Sequence, residues 1–182
     1  MSDNSNEFEQ HFPLIAAHLD SSGVEIFTRA LAPVEATAGD VLISTGVESD
    51  TLYLIRKGLL AISIEAGGKK LLLGEAGEGK WVGEITMIEP GSATTTVIAK
   101  EDSILLALSN DGFETLRNHH PKVASSLLKI LSLDLASRLR SSRQLLIKID
   151  EDRYFMESTS GKKRDRLVAL GRMLMGLSEE KT

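Results

Sequence analysis

The chain has 182 residues, 42% of them hydrophobic and 26% charged, and a net charge of −5 at neutral pH. That suffices for one buried core plus an appendage, and it excludes both a wholly disordered chain and a uniformly basic nucleic-acid binder. The absence of cysteine excludes disulfide frameworks and thiolate metal sites, and no apolar run reaches the roughly 18 residues of a membrane-spanning helix.

Met1 to Gln10 is polar and acidic, without the basic start and apolar stretch of a signal peptide, so a cytoplasmic location is expected. Residues 8–31 carry spaced apolar positions (Phe8, Phe12, Ile15, Leu19, Val24, Phe27) interrupted by Pro13 and Ser21-Ser22-Gly23. The spacing predicts two short helices. From 33 to 110 the pattern changes to short runs between glycines: Val41–Ile43, Leu52–Ile55, Leu59–Ile64, Lys70–Leu73, Thr95–Ala99 and Ile104–Leu108. Gly67-Gly68 between two of these runs reads as a hairpin turn. Many short strands at this spacing predict an antiparallel barrel or jelly roll.

Pro121 opens a long helix, expected over about 121–149. Leu128, Leu131, Leu135, Leu139, Ser142, Leu146 and Ile149 form one seam along it, with Leu127, Ile130, Leu133 and Leu145 as a second apolar flank. A helix apolar on two sides has two neighbours, its own barrel and a partner chain. A polar linker is expected at 157–163, then a short amphipathic helix from Arg164 to Leu177. From Ser137 to Arg172 ten Lys/Arg face five Asp/Glu, so this stretch is +5 and the remainder −5 − 5 = −10. The basic excess reads as the solvated face of helices.

Two motifs carry the functional information. From Gly39 to Leu60 the order is strand, glycine turn, acidic bend, strand, glycine turn, strand. From Gly83 to Val97, a Gly-Glu pair precedes a short apolar turn, Ile85 to Ile88, stopped by Pro90-Gly91 and followed by a hydroxyl-rich run. The first amides of such a turn form an anion site without a basic side chain. Together these motifs resemble the cyclic-nucleotide-binding domain superfamily, over roughly residues 10–150. The resemblance implies an α+β fold: an antiparallel, eight-stranded jelly-roll-like β-barrel with short N-terminal helices and a long C-terminal dimerisation helix. Residues 151–182 would then be a linker and a short C-terminal amphipathic helix.

By the same resemblance the Gly83–Val97 stretch is a phosphate-binding cassette. Glu84 would accept the ribose hydroxyl, and the amides of Gly83, Ile85 and Thr86 would approach ribose and phosphate. An arginine is expected nine residues after the glutamate; this chain has Ala93, followed by Thr94 and Thr95. Lys80 or Lys100 is a candidate substitute charge. Ser142 and Arg143 fall near the family's base-contacting positions, and Ser142 in an apolar seam could instead fix dimer register.

His119-His120 point apart at a helix start and make a poor metal pair. Trp81 reads as barrel core. No nucleophile–base arrangement, phosphate-binding loop or metal-ligand cluster occurs, so no enzyme, no cofactor and no metal is expected. The possible ligand is a cyclic nucleotide. The expected partners are a second copy through the long helix and an unidentified protein. The helix from Arg164 resembles the first of a winged helix-turn-helix, but too few residues follow it for a recognition helix, so direct DNA binding is not expected. Three readings stay open: a sensor module that signals to a partner, a ligand-independent dimerisation scaffold, and a transcription factor without its DNA-reading half that acts as a dominant-negative dimer partner.

Overall fold

The computed structural model describes residues 2–158, with side chains described for 5–65, 67–144 and 147. The chain divides into two compact units, Met1–Ser132 and Leu133–Thr182. Three helices open the first: α1 (Ser2–His11), α2 (Pro13–Ala16) and α3 (Ser21–Arg29). The sequence predicted two, because Ser21-Ser22-Gly23 reads as a break. Instead Asp20 caps α3, its carboxylate accepting from Gly23 N at 2.7 Å, and the serines form the first turn.

The strands follow as β1 (Ala32–Ala36), β2 (Val41–Ile43), β3 (Glu48–Ser49), β4 (Thr51–Lys57), β5 (Leu60–Ala66), β6 (Lys69–Ala76) and β7 (Trp81–Val82). The short helix α4 (Glu84–Ile88) then precedes β8 (Gly91–Ser92), β9 (Thr96–Ala99) and β10 (Ser103–Ser109). Among the described residues they make two four-stranded sheets, β1-β10-β4-β7 and β2-β9-β5-β6, and a ribbon of β3 with β8. Every pairing is antiparallel. Gly67 (φ +59°) and Gly68 (φ +71°) close the β5–β6 hairpin between Ala66 and Lys69. Two positive φ angles in a two-residue loop match the strand twist, which only glycine accepts at little cost.

Burial on both sides makes the first sheet a wall. Leu52 and Leu54 of β4, Trp81 of β7 and Leu108 of β10 face a helical layer of Phe8, Phe12, Ile15, Phe27, Phe113, Leu127 and Leu131. Alternate residues Ile55, Val82 and Leu105 face the barrel interior with Ile43, Leu60, Ala93 and Val97. Trp81 therefore belongs to the core between wall and helices, with its neighbour Val82 on the barrel side.

Ser109 caps α5 (Asn110–His119), accepting from Gly112 N at 3.1 Å. Helix α6 runs from Pro121 to Ser158, past the expected end near 149. No proline or glycine interrupts 122–158, so nothing stops it at Asp150, and Glu157 and Ser158 are helical rather than linker. Within the first unit Val123, Ala124, Leu127, Ile130 and Leu131 are buried. In the second unit Leu133 (50%), Leu139 (72%) and Ile147 (50%) are exposed apolar side chains. The side chains of Leu145, Leu146 and Ile149 and the helix expected over Arg164–Leu177 lie outside the described residues.

Candidate functional site

The turn after β7 is fixed by one glycine. Gly83 has φ +91°, and a β-carbon there would stand 2.3 Å from the backbone oxygen of Thr51 on β4. Only glycine lets the chain pass so close to the wall and begin α4 at once. Met87 N donates to Gly83 O at 3.2 Å, so the amides of Ile85 and Thr86 precede the first helical hydrogen bond. Glu84 is 5% exposed at the first helical position. Thr86 is also buried, and its hydroxyl donates to Gly83 O at 3.1 Å. Ile85 and Ile88 are exposed on the turn's outer side.

Ala93 lies at 5% exposure in the barrel-interior core, with Ile43, Val82 and Val97 among that core's members. Its amide donates to Val47 O and its carbonyl accepts from Gly46 N, both at 2.8 Å. Position 93 therefore carries only a buried methyl group, and its peptide groups are committed to the loop between β2 and β3. Thr94 is exposed and Thr95 half-buried. Thr96 has its hydroxyl 2.9 Å from Thr45 Oγ1 and accepts from Thr45 N at 3.1 Å. Lys100 Nζ stands 2.6 Å from Glu75 Oε1, in an ion pair with β6. Ser142 and Arg143 are exposed on α6, in the second unit.

Of the expected site residues, Gly83, Glu84, Ile85 and Thr86 open α4 against β4, and Ala93 follows β8 in the barrel-interior core. Thr45 and Ser63, which no motif in the sequence singles out, each bond to Thr96. Ser63 is 2% exposed with its hydroxyl 3.5 Å from Thr96 O, a long contact for a buried polar group. Its only signal was a serine amid an apolar strand. Tyr53 of β4 packs against the barrel interior; burial above all, then the nearby Asp50 charge, raise its pKa above 10.0, against a Thr51 hydrogen bond that lowers it. Asp40 sits in the opposite regime, its pKa lowered by the backbone N–H and then the hydroxyl of Thr37. Among the described residues no cluster of three or more metal-ligating side chains occurs.

Residues 33–120 match the family described as "Cyclic nucleotide-binding domain". The chain carries a domain of that superfamily. Lysophospholipase nte1 of Aspergillus fumigatus is 33% identical to it over 104 residues, which are 57% of this chain and 7% of that protein. The cyclic-nucleotide-binding domain here thus matches a small fraction of such relatives' length. Among solved structures, a cyclic nucleotide-binding domain from Methylobacillus flagellatus superposes with TM-score 0.72 at 20% identity, over 79% of this chain and 84% of that one. The Thermus thermophilus catabolite activator protein gives 0.64 at 26% identity, over 76% and 63%. These likenesses bear out the fold: antiparallel barrel, short N-terminal helices and a long helix after it. No helix among the described residues is long and apolar enough to cross a membrane.

Proposed function

We propose that this chain is a non-enzymatic, cytoplasmic regulatory module that reads a small ligand in its barrel and passes the signal through the long helix to a partner protein. The observation that carries the reading is Glu84, 5% exposed and set at the start of α4 by Gly83, where any side chain would crowd the Thr51 backbone. A carboxylate at the first amides of such a turn can accept hydrogen bonds from the hydroxyls of a ligand. The exposed leucines of the second unit support a homodimer through α6. The small matched fraction of lysophospholipase nte1 suits a module that acts on other domains or chains.

Ala93 favours a second reading, a scaffold that no longer binds cyclic mononucleotides. The residue supplies neither charge nor a free amide where a phosphate would rest. Calorimetric titration of the protein with cyclic AMP, cyclic GMP and cyclic di-GMP decides between the two. Saturable heat with any of them supports the sensor. No heat with all three, together with an unchanged sedimentation mass, leaves the scaffold.

A further inference from the structure

Strand β6 is an edge, with β5 as its one neighbour among the described residues. It also carries three consecutive exposed leucines, Leu71 (54%), Leu72 (58%) and Leu73 (53%). Successive side chains on a strand point to opposite faces, so both faces are bare here as well as the backbone edge. Edges of this length and apolarity are templates for another strand.

We propose that β6 joins β6 of a second copy of this chain, antiparallel and edge to edge. Charge selects this occupant. Lys70 pairs with Glu65 and Glu75 with Ala61 across β5, and Glu65 and Ala61, four residues apart, share one face of the sheet. Lys70 and Glu75 therefore share that face too, although they are five residues apart. In a regular strand they would point oppositely. The register shift between the Gly74–Ile62 and Leu72–Ser63 pairs leaves Leu73 as an extra residue and brings the two charges into phase.

A two-fold axis between Leu72 and Leu73 then sets Lys70 opposite Glu75 of the second copy, twice, with the leucines between them. Lys100 already holds Glu75 Oε1 at 2.6 Å, and a carboxylate has a second oxygen to offer. Parallel pairing would set lysine on lysine, so the same residues that favour this arrangement oppose the alternative.

Sedimentation of the full chain tests the interface. A Leu139→Glu background weakens association through α6 and separates the two surfaces. There, Lys70→Glu and Glu75→Lys are each expected to weaken association about tenfold or more, and Lys70→Glu combined with Glu75→Lys to restore it. Leu72→Asp, at an exposed position, is expected to abolish it with an unchanged melting curve. Any of three results overturns the proposal: a monomer throughout in the Leu139→Glu parent, single reversals without effect, or a double reversal no tighter than the singles. Association that vanishes on Leu139→Glu alone assigns the whole interface to the helix and overturns the edge while sparing the dimer.

Discussion

The backbone of Gly83 passes so near Thr51 that a methyl group on it would stand 2.3 Å from the Thr51 carbonyl oxygen. Gly83→Ala must push the wall strand or the start of α4 aside as well as accept a left-handed φ. The two costs together are expected to lower unfolding free energy by about 2–5 kcal/mol. Gly39→Ala is the control: φ is +99° but nothing lies within 4 Å of the added carbon. It should lose only about 1–2 kcal/mol. Equal losses in denaturant titration would show that the contact with Thr51 does not matter.

Restoring a cation at position 93 should restore phosphate affinity. Removing one partner of a desolvated arginine–phosphate pair costs about 2–5 kcal/mol, so Ala93→Arg is expected to bind cyclic AMP about 30-fold to several thousand-fold more tightly than the native chain. Calorimetry on both proteins measures the ratio. A ratio near one means that another group already supplies the charge or that the pocket is closed.

Tyr53 makes the fold sensitive to alkali. Its folded-state pKa is raised above 10.0, chiefly by burial, so the fold holds this proton more tightly than the unfolded chain does. The resulting stability is complete below pH 10.0 and is lost as pH rises through the folded-state value. Tyr53→Phe lacks this loss. Its stability relative to the native chain should therefore rise as pH increases above 10.0. An absorbance titration should lose the tyrosine that ionises above pH 10.0 in the same variant.

Helix α3 depends on its cap. Asp20→Ala removes the acceptor for Gly23 N and should cost about 1 kcal/mol, read from the denaturation midpoint at unchanged slope. Asp20→Asn keeps an acceptor and should recover most of it.

The barrel was legible because its signals are local: six β-rich runs between glycines, and a Gly-Gly hairpin whose φ angles have the sign the turn needs. What escaped was set by contacts distant in sequence. Ala32–Ala36 contains Pro33 and no alternation, yet it is a strand because β10 pairs with it from Ala107 to Ser103. The two-residue ribbon of Glu48–Ser49 with Gly91–Ser92 has no periodicity to read. The turn into α4 was visible through Gly83-Glu84. The commitment of Ala93's amide and carbonyl to Val47 and Gly46 was not, since no residue type announces which loop will reach across.

The strand wall has a consequence for how a signal would travel. β4 sends Leu52 and Leu54 to one side and Tyr53 and Ile55 to the other, and β7 divides Trp81 from Val82 in the same way. A slip of one residue would exchange the two sets, so the wall has no slack in register. Both of its sides are solid, and any displacement that makes room in the barrel takes room from the helices. Substitutions in the two cores, Ile55→Val and Leu54→Ala for example, should therefore fail to add, although no side chain is shared between them. Double-mutant coupling across β4 would report the stiffness with which events in the barrel are transmitted to the helices.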